Sequence, residues 1–205
     1  SSPSPENDGT TIDFVSSGIN CTRGRAMELV LEYAVWVREM AGPDAPASFD
    51  LMPEVRDLIQ ERLDPLLEPS PSVRAIYGMQ LGRLAYLDAA WLEARRDRIF
   101  PSSPEQARLR RAAWSAFIRY GHVNVFIYRL LASVFEEEVV HMLAHPDVEA
   151  DEAKRLGEHL AWLYVWGAVP LGPNGPWTGF LAGAPTELVR IAIGSVGRGL
   201  LHADK

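Results

Sequence analysis

The sequence predicts an all-α protein of seven or eight helices, and three observations carry that prediction. Apolar residues recur every three or four positions through most of the chain, the period of one helix face. Proline stands just ahead of four such runs, at Pro53, Pro71, Pro104 and Pro185. Its missing N–H is harmless there, because the first turn of a helix offers that group no partner. No stretch alternates apolar and polar residues as a half-buried strand must.

The elements follow in chain order. The spacing predicts a first helix over about 19–41. Met27, Val30, Ala34, Val37 and Met40 lie along one face, and Glu28, Glu32 and Glu39 lie on another. Gly42-Pro43 stops it. This helix is apolar around much of its girth, which predicts neighbours on more than one side. Further helices are predicted over about 54–64, 71–86, 88–99, 104–120, 122–145, 152–168 and 185–202, with a short helical turn over 177–182. Ser70 and Ser103 are N-cap candidates, and Ser103-Pro-Glu-Gln106 fits a capping box. Gly121 predicts a tight corner between two long helices. Residues 169–176, Val-Pro-Leu-Gly-Pro-Asn-Gly-Pro, read as a loop.

Helices joined by such short connections make either HEAT-like stacked pairs, as in an α-solenoid, or an irregular helical bundle. One repeated pattern favours the stack. Pro53-Glu-Val-Arg56 and Pro71-Ser-Val-Arg74 match, and Thr186-Glu-Leu-Val-Arg190 is a looser third copy. In such a pattern the aliphatic residue packs inward while the arginine bonds a neighbouring turn.

Composition bounds the function. With 205 residues, 47% hydrophobic and 23% charged, the chain can bury a core and is neither disordered nor fibrous. A lone cysteine, Cys21, excludes an internal disulfide framework and a Cys-based zinc cluster. A net charge of −7 and a pI near 5.3 weigh against nucleic acid as the main partner. The polar, Ser- and Pro-rich start reads as a linker-like tail over 1–11, followed by a single helical domain over 12–202 and a tail over 203–205. The first residue is Ser1, which fits a piece of a longer protein. No secretory pattern opens the chain. Its longest apolar stretch, 160–171, falls short of the roughly 20 residues that span a bilayer. A cytoplasmic protein without membrane contact is therefore expected. Lysine occurs only at Lys154 and Lys205, and such heavy reliance on arginine points to a bacterium with a GC-rich genome.

A resemblance enters at Ile12-Asp-Phe-Val-Ser-Ser-Gly-Ile-Asn-Cys-Thr-Arg-Gly-Arg-Ala-Met-Glu28. This segment is similar to the opening of helical-repeat regions in large bacterial multidomain proteins. Those regions follow a sirtuin-like or STAND-type NTPase domain, and many such proteins are associated with antiphage defence. Ala113-Trp-Ser-Ala-Phe117, Gly157-Glu-His-Leu-Ala-Trp-Leu-Tyr-Val-Trp-Gly167 and Gly194-Ser-Val-Gly197 fit the same style. The resemblance implies a non-catalytic sensor or scaffold that binds a protein partner or other domains of its own chain. It implies no cofactor. In the opening segment Asn20 is a helix-cap candidate, and Gly24 permits close approach of another helix. Arg23 and Arg25 sit where the helix dipole disfavours cations, so a salt bridge to Asp13 or to a neighbouring repeat is expected.

Three clusters are the candidates for chemistry or contact. Glu138, His141 and His145 share one helix face by spacing and form a set that suits zinc or iron. No second Glu-x-x-His accompanies them, and a di-iron bundle requires one. Arg95, Arg96, Arg98, Arg108, Arg110, Arg111 and Arg119 form a basic run interleaved with Glu93, Asp97 and Glu105. This favours a salt-bridged surface, with Arg108, Arg110 and Arg111 as the partner-contact candidates. Among the aromatics, Trp114, Phe117, Trp162, Tyr164 and Trp166 are expected in the core. Trp177 lies in a Gly/Pro-rich stretch and is expected as an exposed contact residue. Cys21 has no histidine near it in sequence and reads as a structural thiol.

Overall fold

The structure is a computed structural model that describes residues 21–145, 150–173 and 175–203. Asp13, Asn20, the 1–11 tail and residues 204–205 lie outside the described residues. Nine α-helices are described: α1 (Thr22–Ala41), α2 (Pro53–Glu61), α3 (Pro71–Met79), α4 (Leu81–Ile99), α5 (Ala107–Tyr120), α6 (Val125–Ala144), α7 (Ala150–Val165), α8 (Pro176–Gly183) and α9 (Thr186–Ala203). Short 3₁₀ turns occupy Phe49–Leu51 and Pro104–Gln106. No strand occurs among the described residues.

The helix punctuation is partly that of the sequence. Pro53, Pro71 and Pro176 open α2, α3 and α8. Gly42 ends α1 with φ 87°, a value that side-chain-bearing residues adopt only with strain. Ser70 and Ser103 take the cap positions but accept no capping hydrogen bond. The expected capping box is absent because 104–106 winds as a 3₁₀ turn, which displaces the start of α5 to Ala107. Side-chain caps form instead at Cys21, whose Sγ accepts from the Gly24 N–H at 3.3 Å, and at Asn124, whose Oδ1 accepts from Ile127 at 2.9 Å.

The expected break near residue 87 is a bend, and a second break precedes it. Gln80 separates α3 from α4. Asp88, with φ −161° and ψ 96°, interrupts α4. Its carboxylate caps the second half by accepting from the Trp91 N–H at 2.8 Å. The same carboxylate accepts from the Phe49 N–H at 3.0 Å, which fastens the first 3₁₀ turn to α4.

The helices pack in two rows. Helices α1, α3, α5, α7 and α9 touch in that order along one row, and α4, α6 and α8 along the other. Such packing is compatible with both the stacked helix pairs and the irregular bundle that the sequence predicts. The α3–α5 contact is the tightest, and small residues make it so: Ala75, Ala112 and Ala116 cluster there. A Cβ placed on Gly78 would lie 1.9 Å from the Ala113 carbonyl oxygen. Gly199 serves the α7–α9 contact, where an added methyl would meet Trp162 at 2.3 Å, and a methyl on Gly157 of α7 would meet Phe180 of α8 at 2.5 Å and Ala192 of α9 at 3.1 Å. One continuous core runs along the rows through Leu31, Tyr77, Phe117, Phe135, Leu160 and Phe180.

The Val-Arg pattern resolves differently at each copy. Val55 and Val73 are both buried. Arg74 is buried with its valine, donates to the Leu63 carbonyl at 3.0 Å and also bonds the Arg98 carbonyl. It therefore joins a neighbouring turn, as the pattern predicts. Arg56 stays near the surface with Asp50 at 2.8 Å and Asp57 at 3.2 Å. Arg190 pairs within its own turn with Glu187 at 2.6 Å. Near the start of α1, Arg23 pairs with buried Glu68 of the α2–α3 connection at 3.2 Å.

Candidate functional site

The basic run is the first place to look for function, and the structure draws three of its seven arginines, Arg110, Arg111 and Arg119, into contacts between helices. Arg111, Ser115 and Arg119 follow one another at intervals of four and so share a stripe of α5. That stripe faces Glu138 of α6 and Glu152 of α7, both buried. Arg111 reaches Glu138 at 3.2 Å and Glu152 at 2.5 Å. Arg119 Nε lies 3.1 Å from Glu152, and the Ser115 hydroxyl donates to the same carboxylate. Arg110 pairs with Glu137 at 2.5 Å. Three guanidinium groups thus meet three carboxylates, a balanced clamp across α5, α6 and α7. Burial raises the Glu138 carboxyl above its ordinary range, while Arg111 and Arg110 pull it back.

The predicted contact arginines therefore do not form one outward face. Arg110 and Arg111 belong to the clamp, while Arg108 lies exposed. Farther along, Arg95 donates to the Gln60 side chain at 2.8 Å, and Arg96 pairs with Asp97 at 2.6 Å. The ion pairs agree with the expectation, but those of Arg111 and Arg119 are not at the surface: they reach buried Glu138 and Glu152 between α5, α6 and α7.

The Glu138, His141 and His145 set shares its helix face, but its groups point to different partners. Glu138 is held by Arg111. The two imidazoles stack at 4.6 Å. His145 closes the end of α6, with Nδ1 3.0 Å from the His141 carbonyl oxygen. Burial, with Arg111 and His145 nearby, lowers the His141 pKa. Among the described residues, no group of three His, Cys, Asp or Glu side chains is arranged to hold a metal ion.

A second site lies at the other end of the rows. Ala161, Tyr164 and Val165 of α7, Leu171 of the loop, Trp177 and Leu181 of α8, and Ile193 and Val196 of α9 line an open groove of about 640 Å³. Among the described lining residues, the polar side-chain groups are the Tyr164 hydroxyl and the Trp177 indole N–H. Leu171 is 59% exposed and Ile193 55% exposed, with Tyr164, Val165 and Trp166 exposed beside them. Such a contiguous apolar patch is characteristic of an interaction site.

Trp177 corrects the expectation placed on it. It is 4% exposed and forms part of the groove wall. Helix α8 begins at Pro176, one residue earlier, and turns the indole flat against Phe180 at 5.7 Å, with Tyr164 at 6.4 Å. Tyr164 and Trp166 correct the opposite expectation. Core positions are expected for them as for Trp114 and Phe117; the latter two are buried, yet Tyr164 and Trp166 are exposed. Ile193 was missed altogether. It stands next to buried Ala192 on α9, off the inward stripe that continues at Val196. An apolar residue just off a core stripe was the available signal.

No family model, curated protein or solved structure matches this chain. Among the described residues no helix is long and apolar enough to cross a membrane.

Proposed function

We propose that this chain is a non-catalytic helical recognition module of a larger bacterial protein, and that its groove between α7, α8 and α9 receives an apolar segment of a protein partner. One observation carries the reading: the groove's walls are almost wholly apolar, and its rim leaves Leu171 and Ile193 more than half exposed. Apolar surface at such a site gains free energy when a partner covers it, about 25 cal/mol per Å². The two-row stack supports the reading, since neighbouring helix pairs present a continuous surface. The ionic clamp supports it from the other side. Its charges are spent on each other, and it braces α7, which forms one groove wall. The resemblance of the opening segment to defence-associated repeat regions supports a role as sensor or scaffold.

The test is capture from a lysate of the source organism with three immobilised domains: wild type, Leu171→Asp and Ile193→Asp. The reading expects a protein retained by the wild type and reduced about tenfold or more by each substitution, as at an interface hot spot. Identical captured sets from all three domains, at matched Tm, would overturn it.

A further inference from the structure

A second apolar surface lies on α1, far along the row from the groove. The inward face of α1 is Gly24, Met27, Leu31 and Ala34, buried against α2, α3 and α4. The sequence predicts neighbours on more than one side; the packed helices lie on this one, and from the other side Tyr33 donates to Glu54 of α2 at 3.4 Å. The outward face carries Ala26, Leu29, Tyr33, Trp36 and Met40, all exposed, with Leu29 at 64% and Met40 at 70%. Their steps are three, four, three and four residues, the seam of a coiled coil. Residues beside that seam are Arg25, Glu32 and Glu39, also exposed.

We propose that this seam pairs with the same seam of a second copy of the chain, antiparallel and two-fold symmetric. Self-complementarity selects the occupant and the register. An antiparallel pair centred on the middle of α1 sets Ala26 opposite Trp36 of the second copy and Leu29 opposite Tyr33. Each layer then joins a larger ring to a smaller side chain, as interdigitated packing requires. Met40 falls opposite Thr22, so the seam is used from end to end. The same register brings Arg25, which pairs within its own helix with Glu28 at 3.4 Å, beside Glu39 at both ends, an opposite-charge contact made twice by symmetry. A parallel pair sets Trp36 against itself and leaves Arg25 and Glu39 without each other. At the two-fold axis Glu32 meets its own copy, a like-charge contact that weakens the pair and gives it a distinctive signature.

One helix pair is a small interface, so association falls at the weak end of specific complexes. Sedimentation velocity on the full chain, up to on the order of 100 µM, is expected to show a monomer–dimer equilibrium. Leu29→Glu and Trp36→Glu are expected to abolish it at unchanged Tm, and Glu32→Gln to tighten it about two- to fivefold. For the orientation, Cys21→Ser keeps a good helix cap and removes the native thiol. On that background, Glu32→Cys is expected to cross-link with a short bis-maleimide. Ala26→Cys is not, because its copies lie about 15 Å apart along the axis. A monomer at every concentration, a dimer indifferent to Leu29→Glu and Trp36→Glu, or cross-linking at 26 in place of 32 would each overturn the proposal. The groove variants Leu171→Asp and Ile193→Asp leave this equilibrium unchanged, so the two surfaces fail or succeed separately.

Discussion

Replacing Gly78 by alanine tests the packing that defines the rows. In an exposed helix interior, Gly→Ala stabilises by about 0.8–1 kcal/mol. At Gly78 the new methyl would sit 1.9 Å from the Ala113 carbonyl oxygen, 2.7 Å from its carbon and 2.8 Å from its Cα. These are backbone atoms, so no side-chain rotation relieves the clash. To restore ordinary contact, α3 and α5 must part by about 1.5 Å or more, which exposes or empties packing around Ala75, Ala112 and Ala116. Overpacking of this kind costs about 1–3 kcal/mol, and a backbone clash falls at the upper end. The expected loss is therefore about 2 kcal/mol after the helix-propensity gain, or a Tm drop of about 4–8 °C for a chain of this size. Gly82 is the internal control, since a methyl there meets nothing within 4 Å. Gly82→Ala should raise Tm by about 1–4 °C. Thermal melts of the three proteins decide the matter. If Gly78→Ala stabilises as Gly82→Ala does, the close α3–α5 approach is wrong.

Three further predictions follow from the clamp, a half-buried histidine and the groove. Arg111→Met leaves Glu138 and Glu152 short of a counter-charge and should cost about 3–5 kcal/mol in urea unfolding at pH 7. That loss should shrink on acidification, because a protonated carboxyl needs no counter-charge; a loss below 1 kcal/mol would contradict the account. His159 packs against Phe117, and burial, with Arg155 and His122 adding to it, lowers its pKa to about 4. The unfolded chain, with its ordinary value of 6.5, therefore binds the proton first. The stability from neutral His159 is intact above about pH 6.5 and falls by about 3 kcal/mol as pH drops through 4. Glu138 titrates in the opposite sense, so the difference between wild type and His159→Gln isolates the histidine; parallel pH profiles of the two proteins would refute it. Ile193→Asp should change stability by no more than about 0.5 kcal/mol, since the side chain is a surface one; a larger loss would make Ile193 a core residue.

Most of the fold was legible because helix period and proline placement act locally. The inward aliphatics Val55 and Val73 and the opening prolines of α2 and α3 could be read directly, while Pro176, expected to end a loop, opens α8. Gln80 could not, because an ordinary side chain interrupts the helix there and only tertiary packing fixes the break. Asp88 was half legible: a break was expected near it, while its bond to Phe49 joins residues 39 apart. The site was harder still. Arg111 and Glu152 are 41 residues apart and became partners only through the placement of α7 on α5. The groove needed three elements to converge, and Trp177 is buried rather than exposed because its ring packs on Phe180 and beside Tyr164, 13 residues before it. The excess apolarity of α1 was visible, but which stripe faced outward depended on where α3 and α4 lie.

The most direct test of the central claim is photo-cross-linking in the source cells, with a benzoylphenylalanine at Leu171 and, separately, at Ile193. A control carries it at Arg96, outside the groove. The account predicts that Leu171 and Ile193 give a shared, discrete adduct with one protein and that Arg96 does not. Adducts at all three positions alike, or at Arg96 alone, would contradict the assignment of this groove as the recognition surface.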